Sequence, residues 1–209
     1  MAGLDVTEIL VLMAVLVGSL SVHEAAHAWV ASLLGDPTAK RLGRLTLNPV
    51  AHVDLVGTLI FPLVAISTGL PLIGWAKPVP VDFRHLKDPR RDFAMVAAAG
   101  PLSNLVMAVV GAAVFSLLGG LEVARGGQML PRVVLQFVVL NVLLAVFNMV
   151  PVPPLDGGNV LMGLLPASGA AVMDRIRPYG FLVLYALMLT GVLAAIMRPV
   201  QRLVLGVLL

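Results

Sequence analysis

The sequence predicts an all-α polytopic membrane protein, a bundle of about four to six transmembrane helices with a re-entrant or short strand element. Composition is the first observation behind that expectation. Of the 209 residues 59% are hydrophobic and only 12% charged, with a mean hydropathy of +1.01. Soluble domains carry roughly 25% charged residues. The second observation is length: apolar runs at 9–34, 53–73, 92–118, 131–150 and 179–197 each reach the roughly 20 residues that cross a bilayer. The third is that the charges gather in short connections between those runs. The net charge of +3 and pI near 9.8 are read as the Lys/Arg excess of cytoplasmic loops. The basic residues are spread over several connections without interleaved aromatics, which argues against nucleic acid as a partner. There is no cysteine, so disulfides and thiolate chemistry are excluded.

The first run, 9–34, follows Asp5 and Glu8, where a signal peptide would carry Lys or Arg. It is expected to enter from outside and run inward. Segment 53–73 is interrupted by Gly57, Pro62, Gly69 and Pro71 and lies between two basic clusters, Lys40/Arg41/Arg44 and Lys77/Arg84/Lys87/Arg90/Arg91. A complete crossing would put those clusters on opposite faces, against the positive-inside rule. A re-entrant hairpin keeps them together and is the favoured reading; a Pro-kinked span is the alternative. Run 92–118 then leads out and 131–150 back in, which places 151–178, with Arg175 and Arg177, in the cytoplasm. Run 179–197 is the last span, and the tail from Arg198, with Pro199 and Arg202, is expected along an interface. Without an internal repeat or an inserted soluble stretch, 1–209 reads as one domain, with a core over about 9–165 and a C-terminal helix and tail over 166–209.

Inside the first run stand His23, Glu24 and His27 with Ala25 and Ala26 between them. Residues four apart share a helix face, so two imidazoles can reach one metal ion. Glu24 sits beside them, angled to hold a water rather than the metal. This is the H-E-x-x-H pattern of zinc metalloproteases. The structural alternative is polar residues hydrogen-bonded to neighbouring helices, but ionisable groups in lipid are costly and mark function by default. A third ligand has to come from His52, His85 or a carboxylate. His85 lies in the basic stretch FRHLKDPRRD and reads as solvent-exposed. His52, in LNPVAHVD, falls where the chain re-enters the apolar layer, and would touch substrate, the metal's surroundings or a headgroup. Asp156 is the strongest candidate. It follows Pro151, Pro153 and Pro154, which must end the preceding helix, and precedes Gly157 and Gly158. An N-cap role is its alternative.

H-E-x-x-H in a membrane span, followed far downstream by N-x-x-P-x-x-P-L-D-G-G at Asn148–Gly158, resembles the site-2 protease family of intramembrane zinc metalloproteases. Gly100-Pro101-Leu102-Ser103-Asn104 matches a G-x-x-x-N element on the intervening span, and LNPVAHVDLVGT and GWAKPVPV resemble the short branch without PDZ or CBS domains. The resemblance implies one Zn²⁺ per chain held by His23, His27 and Asp156, with Glu24 as general base and Asn148 on the substrate carbonyl or its oxyanion. It implies a transmembrane protein or peptide as substrate, cut by regulated intramembrane proteolysis in the lipid bilayer. It also implies a prokaryotic cell membrane, with the active site toward the cytoplasm. His52, Asn104 and Asn141 are further candidates for contact with substrate or with the ligands. Gly100 and Asn104 are expected to allow close helix packing, and Asn141 is expected to bond a neighbouring helix. GWAKPVPV, extended and Pro-rich, suits an edge that pairs with an unwound substrate. A transporter or a non-catalytic metal-binding scaffold is the competing class, since transporters also place ionisable residues and broken helices at membrane depth.

Overall fold

A computed structural model describes residues 6–68, 74–126 and 128–209. The chain begins with α1 (Val6–Leu33), an almost uncharged helix, and turns through Asp36 into the short α2 (Thr38–Arg41). Asp36 is completely buried and acts as a clamp. It accepts the Thr38 N–H at 2.9 Å and, from the far end of the next loop, the Asp82 N–H at 2.8 Å, with His85 Nδ1 at 3.4 Å.

The base of the expected hairpin is formed. Asp54 accepts the N–H groups of Val56 and Gly57 at 3.0 and 2.7 Å and so starts a helix. That helix is a π-turn over Leu55–Ile60 continuing as α3 (Phe61–Thr68). At about 1.5 Å per residue its described part, Leu55–Thr68, extends about 20 Å, against roughly 30 Å for the hydrocarbon layer. Residues 69–73 lie outside the described chain. When the chain resumes, the Trp75 N–H donates to Gly57 O at 3.0 Å, the Lys77 N–H to His52 O at 2.8 Å, and Thr58 Oγ1 to Trp75 O at 2.8 Å. The segment therefore ends beside where it started, which favours the re-entrant reading and keeps the two basic clusters together. Residues 74–82 are extended but form no β-strand; none occurs among the described residues. The strand element expected from sequence fails for two reasons. The neighbouring limb is helical, and Pro78 and Pro80 lack the N–H a ladder requires.

Asp88 then caps α4 (Pro89–Leu117), accepting the Arg91 N–H at 3.3 Å while Asp92 accepts the Asp88 N–H at 3.0 Å. After α5 (Gly120–Arg125), α6 (Met129–Asn148) runs back along α4. Ala108 and Ala112 of α4 pack against Val138 and Val142 of α6, small against branched. The proline-rich turn leads into α7 (Asp156–Leu164), which lies against α4, and then α8 (Ala167–Ile176). The final predicted span, 179–197, is not one helix. It divides into α9 (Gly180–Leu189) and α10 (Val192–Leu208), and the helical stretch Ala167–Leu189 is bent by 76° from Val192–Leu208. Gly191 adopts φ +76°, a left-handed conformation that ends a helix. Among the described residues three helices, α1, α4 and α6, are long and apolar enough to cross a membrane, and a fourth crossing exists if the bent C-terminal pair counts as one. This is the lower end of the expected range, in a multi-pass membrane protein.

Candidate metal centre

Two elements deliver three side chains to a common point, α1 two and α7 one. On α1, His23 and His27 are buried at 3% and 7% exposure and stack edge to face, centroids 4.7 Å apart. Their Nε2 atoms are 3.1 Å apart. Asp156 brings its Oδ2 to 3.1 Å from His23 Nε2 and 3.5 Å from His27 Nε2. Asp156 is the first residue of α7, and Leu155 occupies the cap position without a side-chain cap bond. The carboxylate is thus not the N-cap that the sequence allowed; it sits at the helix's positive end, aimed at the imidazoles. Delivery depends on a tight turn. A Cβ on Gly157 would collide with the Met149 carbonyl, and one on Gly158 with the backbone of Val152 and Pro153.

The donor set fits zinc. His27 Nδ1 lies 2.7 Å from Val96 O; a carbonyl only accepts, so Nδ1 carries the hydrogen and Nε2 keeps its lone pair. A lone pair and a carboxylate oxygen pointed at one another repel unless a cation lies between them. Tetrahedral zinc with bonds of about 2.0–2.1 Å separates its ligand atoms by about 3.3 Å, close to the three distances observed. Space for the ion is kept by α4: a Cβ on Gly100 would fall against Nε2 of both histidines.

The cluster opens on a cavity of about 410 Å³ whose walls include Glu24, Trp75, Phe147, Asn148 and Phe181. Glu24 is 8% exposed, and no described residue hydrogen-bonds its carboxylate. Asn148, half-buried at the end of α6, donates through Nδ2 to Leu144 O at 3.0 Å and also lines the cavity. Asn104 is at the cluster's edge, Oδ1 2.6 Å from His23 Nδ1. Asn141 does not reach the cavity and bonds Asn104 and α1 instead, as expected for a helix-bridging residue. His52 is not brought to the centre. It is buried in the hairpin base, its Nε2 donating to Thr46 O at 2.8 Å. His85 belongs to the Asp36 clamp. Sequence reading missed Ser19 as a polar partner and the Val96 carbonyl. Ser19 stands one turn before His23 on the same face, which was the available signal.

Depth follows from helix rise. His23 and His27 stand about 15 and 9 Å from the end of α1, and Gly100 about 17 Å into α4 from the end carrying Arg90 and Arg91. The nine residues of α7 run back over this distance, since a Cβ on Gly163 would touch Ala94 and the Arg90 carbonyl. The cluster is therefore recessed among the apolar helices, on the side of the basic loops.

Together, the bundle and this cluster define a multi-pass membrane protein with a candidate metal centre. Residues 122–191 match the model of Peptidase family M50. The chain is 38% identical over 191 residues to "Putative zinc metalloprotease YwhC" of Bacillus subtilis (strain 168), covering 90% of this chain and 84% of that protein. It is 31% identical over 180 residues to "Putative zinc metalloprotease Rip2" of Mycolicibacterium smegmatis (strain ATCC 700084 / mc(2)155), covering 84% of this chain and 65% of that one. No solved structure gives a significant match. The chain belongs to peptidase family M50, the site-2 protease family, and is a zinc metalloprotease.

Proposed function

We propose that this single-domain protein is an intramembrane protease that hydrolyses peptide bonds in transmembrane segments of membrane-protein substrates, in regulated intramembrane proteolysis at a prokaryotic cell membrane. The observation that carries the reading is the convergence of His23 Nε2, His27 Nε2 and Asp156 Oδ2 on a cavity walled by membrane-spanning helices. These three residues hold the metal, which when bound supplies Lewis acidity to the scissile carbonyl and to water. Glu24 is the general base: its carboxylate, to which no described residue hydrogen-bonds, takes the proton of the attacking water and returns it to the leaving amine. Asn148 orients the substrate carbonyl through the N–H not used by Leu144. Burial among apolar helices excludes bulk water and strengthens each of these contacts.

A helical substrate must first unwind, because its amides are otherwise tied into i→i−4 bonds. Residues 74–82 support an extended binding mode. Ala76, Pro78, Val79 and Val81 line the cavity, while Trp75 and Lys77 hold the stretch to the hairpin. The basic loops on the near side of the centre support a cytoplasmic-facing site. The test is Glu24→Gln in purified protein. Zinc should remain near one per chain, and cleavage of a model transmembrane substrate should fall by at least about 100-fold. Cleavage at the parent rate would overturn the general-base assignment.

A further inference from the structure

Asn104 on α4 and Asn141 on α6 are both fully buried, at 0% exposure. A primary amide has nearly the same shape either way round, with an acceptor on one side and two donors on the other. Shape alone does not decide which atom faces which neighbour, but the backbone does. One amide atom of Asn141 lies 2.9 Å from the Phe137 carbonyl oxygen and 3.0 Å from Ser19 Oγ. A carbonyl only accepts, so that atom is Nδ2, and Asn141 Oδ1 is turned toward α4. The Asn104 atom 2.8 Å from it must then donate and is Nδ2. Asn104 Oδ1 is left facing His23 Nδ1 at 2.6 Å and accepts its N–H. The outcome is a His23 ring with its hydrogen on Nδ1 and its lone pair on Nε2, toward His27 and Asp156.

We propose that Asn141 is a positioning residue for the metal centre: held by the Phe137 carbonyl and Ser19, it sets the direction of the Asn104 amide and so keeps the His23 hydrogen on Nδ1 and the Nε2 lone pair free for the metal. The inference rests on His23 being a ligand. Its physical basis is the cost of the alternative. If Asn104 turned over, its NH₂ group would face Nδ1, and the ring hydrogen would move to Nε2, occupying the ligand position. His27 needs no such device, because the Val96 carbonyl fixes its Nδ1–H directly. On α1, Ser19 and His23 lie one turn apart, so the connection leaves α1, passes through α6 and α4, and returns to α1. Partners of this kind that hold the second nitrogen of a ligating histidine typically change metal affinity by about 10–100-fold.

The experiment measures zinc affinity of the full chain in detergent by competition with a chromophoric chelator, after the protein has been stripped and reloaded. Asn141→Leu should weaken zinc by about 10–100-fold, and Ser19→Ala by less than about threefold, because the Phe137 carbonyl still orients the amide. The decisive variant adds Asn104→Asp to Asn141→Leu. Either oxygen of a carboxylate accepts from Nδ1, so no partner is needed to orient it, and affinity should return to within about threefold of the parent. A residue that only packed the helices would not be rescued in this way. Asn141→Ala, which adds no bulk, carries the same comparisons if the leucine variants do not purify as monodisperse protein. Unchanged affinity in the Asn141 variants, or failure of rescue in folded protein, overturns the proposal. Zinc binding that survives His23→Ala would instead overturn the ligand assignment beneath it.

Discussion

Two clusters in this molecule use the same residue types to opposite ends. At the loop face, Asp36, Asp82 and His85 meet around a buried carboxylate that is saturated by donors, the N–H groups of Thr38 and Asp82 and the His85 ring. In the bundle, His23, His27 and Asp156 also meet, but their hydrogens are directed outward, from His27 Nδ1 to Val96 O and from His23 Nδ1 to Asn104. Only acceptors point inward. The first arrangement is complete as protein and ties the end of α1 to the loop before α4; the second is completed only by a cation. Gathering His and Asp around a buried carboxylate therefore does not by itself mark a metal site. What separates the two is where the N–H groups point.

Removing an inward acceptor should have the largest effect. Asp156→Ala is expected to lower zinc affinity by more than about 100-fold and to abolish proteolysis, read by metal content and substrate cleavage. Full zinc occupancy in that variant would remove Asp156 from the ligand set. Gly100→Ala is milder, because it fills the space beside the two Nε2 atoms without removing a ligand. Overpacking of this kind costs about 1–3 kcal/mol, expected as roughly a tenfold loss of zinc affinity. An alanine that left affinity unchanged would show that α4 yields and that the gap above the rings is not maintained by Gly100.

Much of this contrast was legible in the sequence, and the illegible part has a common cause. Spans α1, α4 and α6 followed from apolar length, and the pairing of His23 with His27 from helical period. Asp156 stood out because three prolines must end α6 before it. The hairpin was foreshadowed by the positions of Lys and Arg. By contrast, the break at Gly191 turns on one residue's left-handed backbone within an unbroken apolar run. The direction of the Asn141 and Asn104 amides depends on the register between α1, α4 and α6, which no single helix encodes. The Asp36 clamp joins residues 46 positions apart through a backbone N–H, a group every non-proline residue carries and no motif can signal.

The donor-saturated cluster should respond in the complementary way, and more weakly. Asp36→Ala leaves the Thr38 and Asp82 N–H groups unpaired, a loss of about 1–3 kcal/mol, seen as a lower unfolding midpoint with zinc affinity unchanged. A zinc defect in that variant would erase the separation between the clusters. The smallest effect is in pH. Burial alone would raise the Asp36 carboxyl, but hydrogen bonding from Thr38 and Asp82, with the His85 charge, holds it below the ordinary carboxylate value. A group whose folded-state pKa is depressed stabilises the fold above its unfolded pKa, and that contribution is lost as pH falls through the folded value. The advantage of Asp36 over an Asp36→Asn variant, measured as unfolding midpoints in detergent with chelator present, should shrink as pH falls below about 4. Curves that stay parallel into acid would mean that the carboxylate charge contributes nothing there, and that the clamp works through hydrogen-bond geometry that an amide supplies equally well.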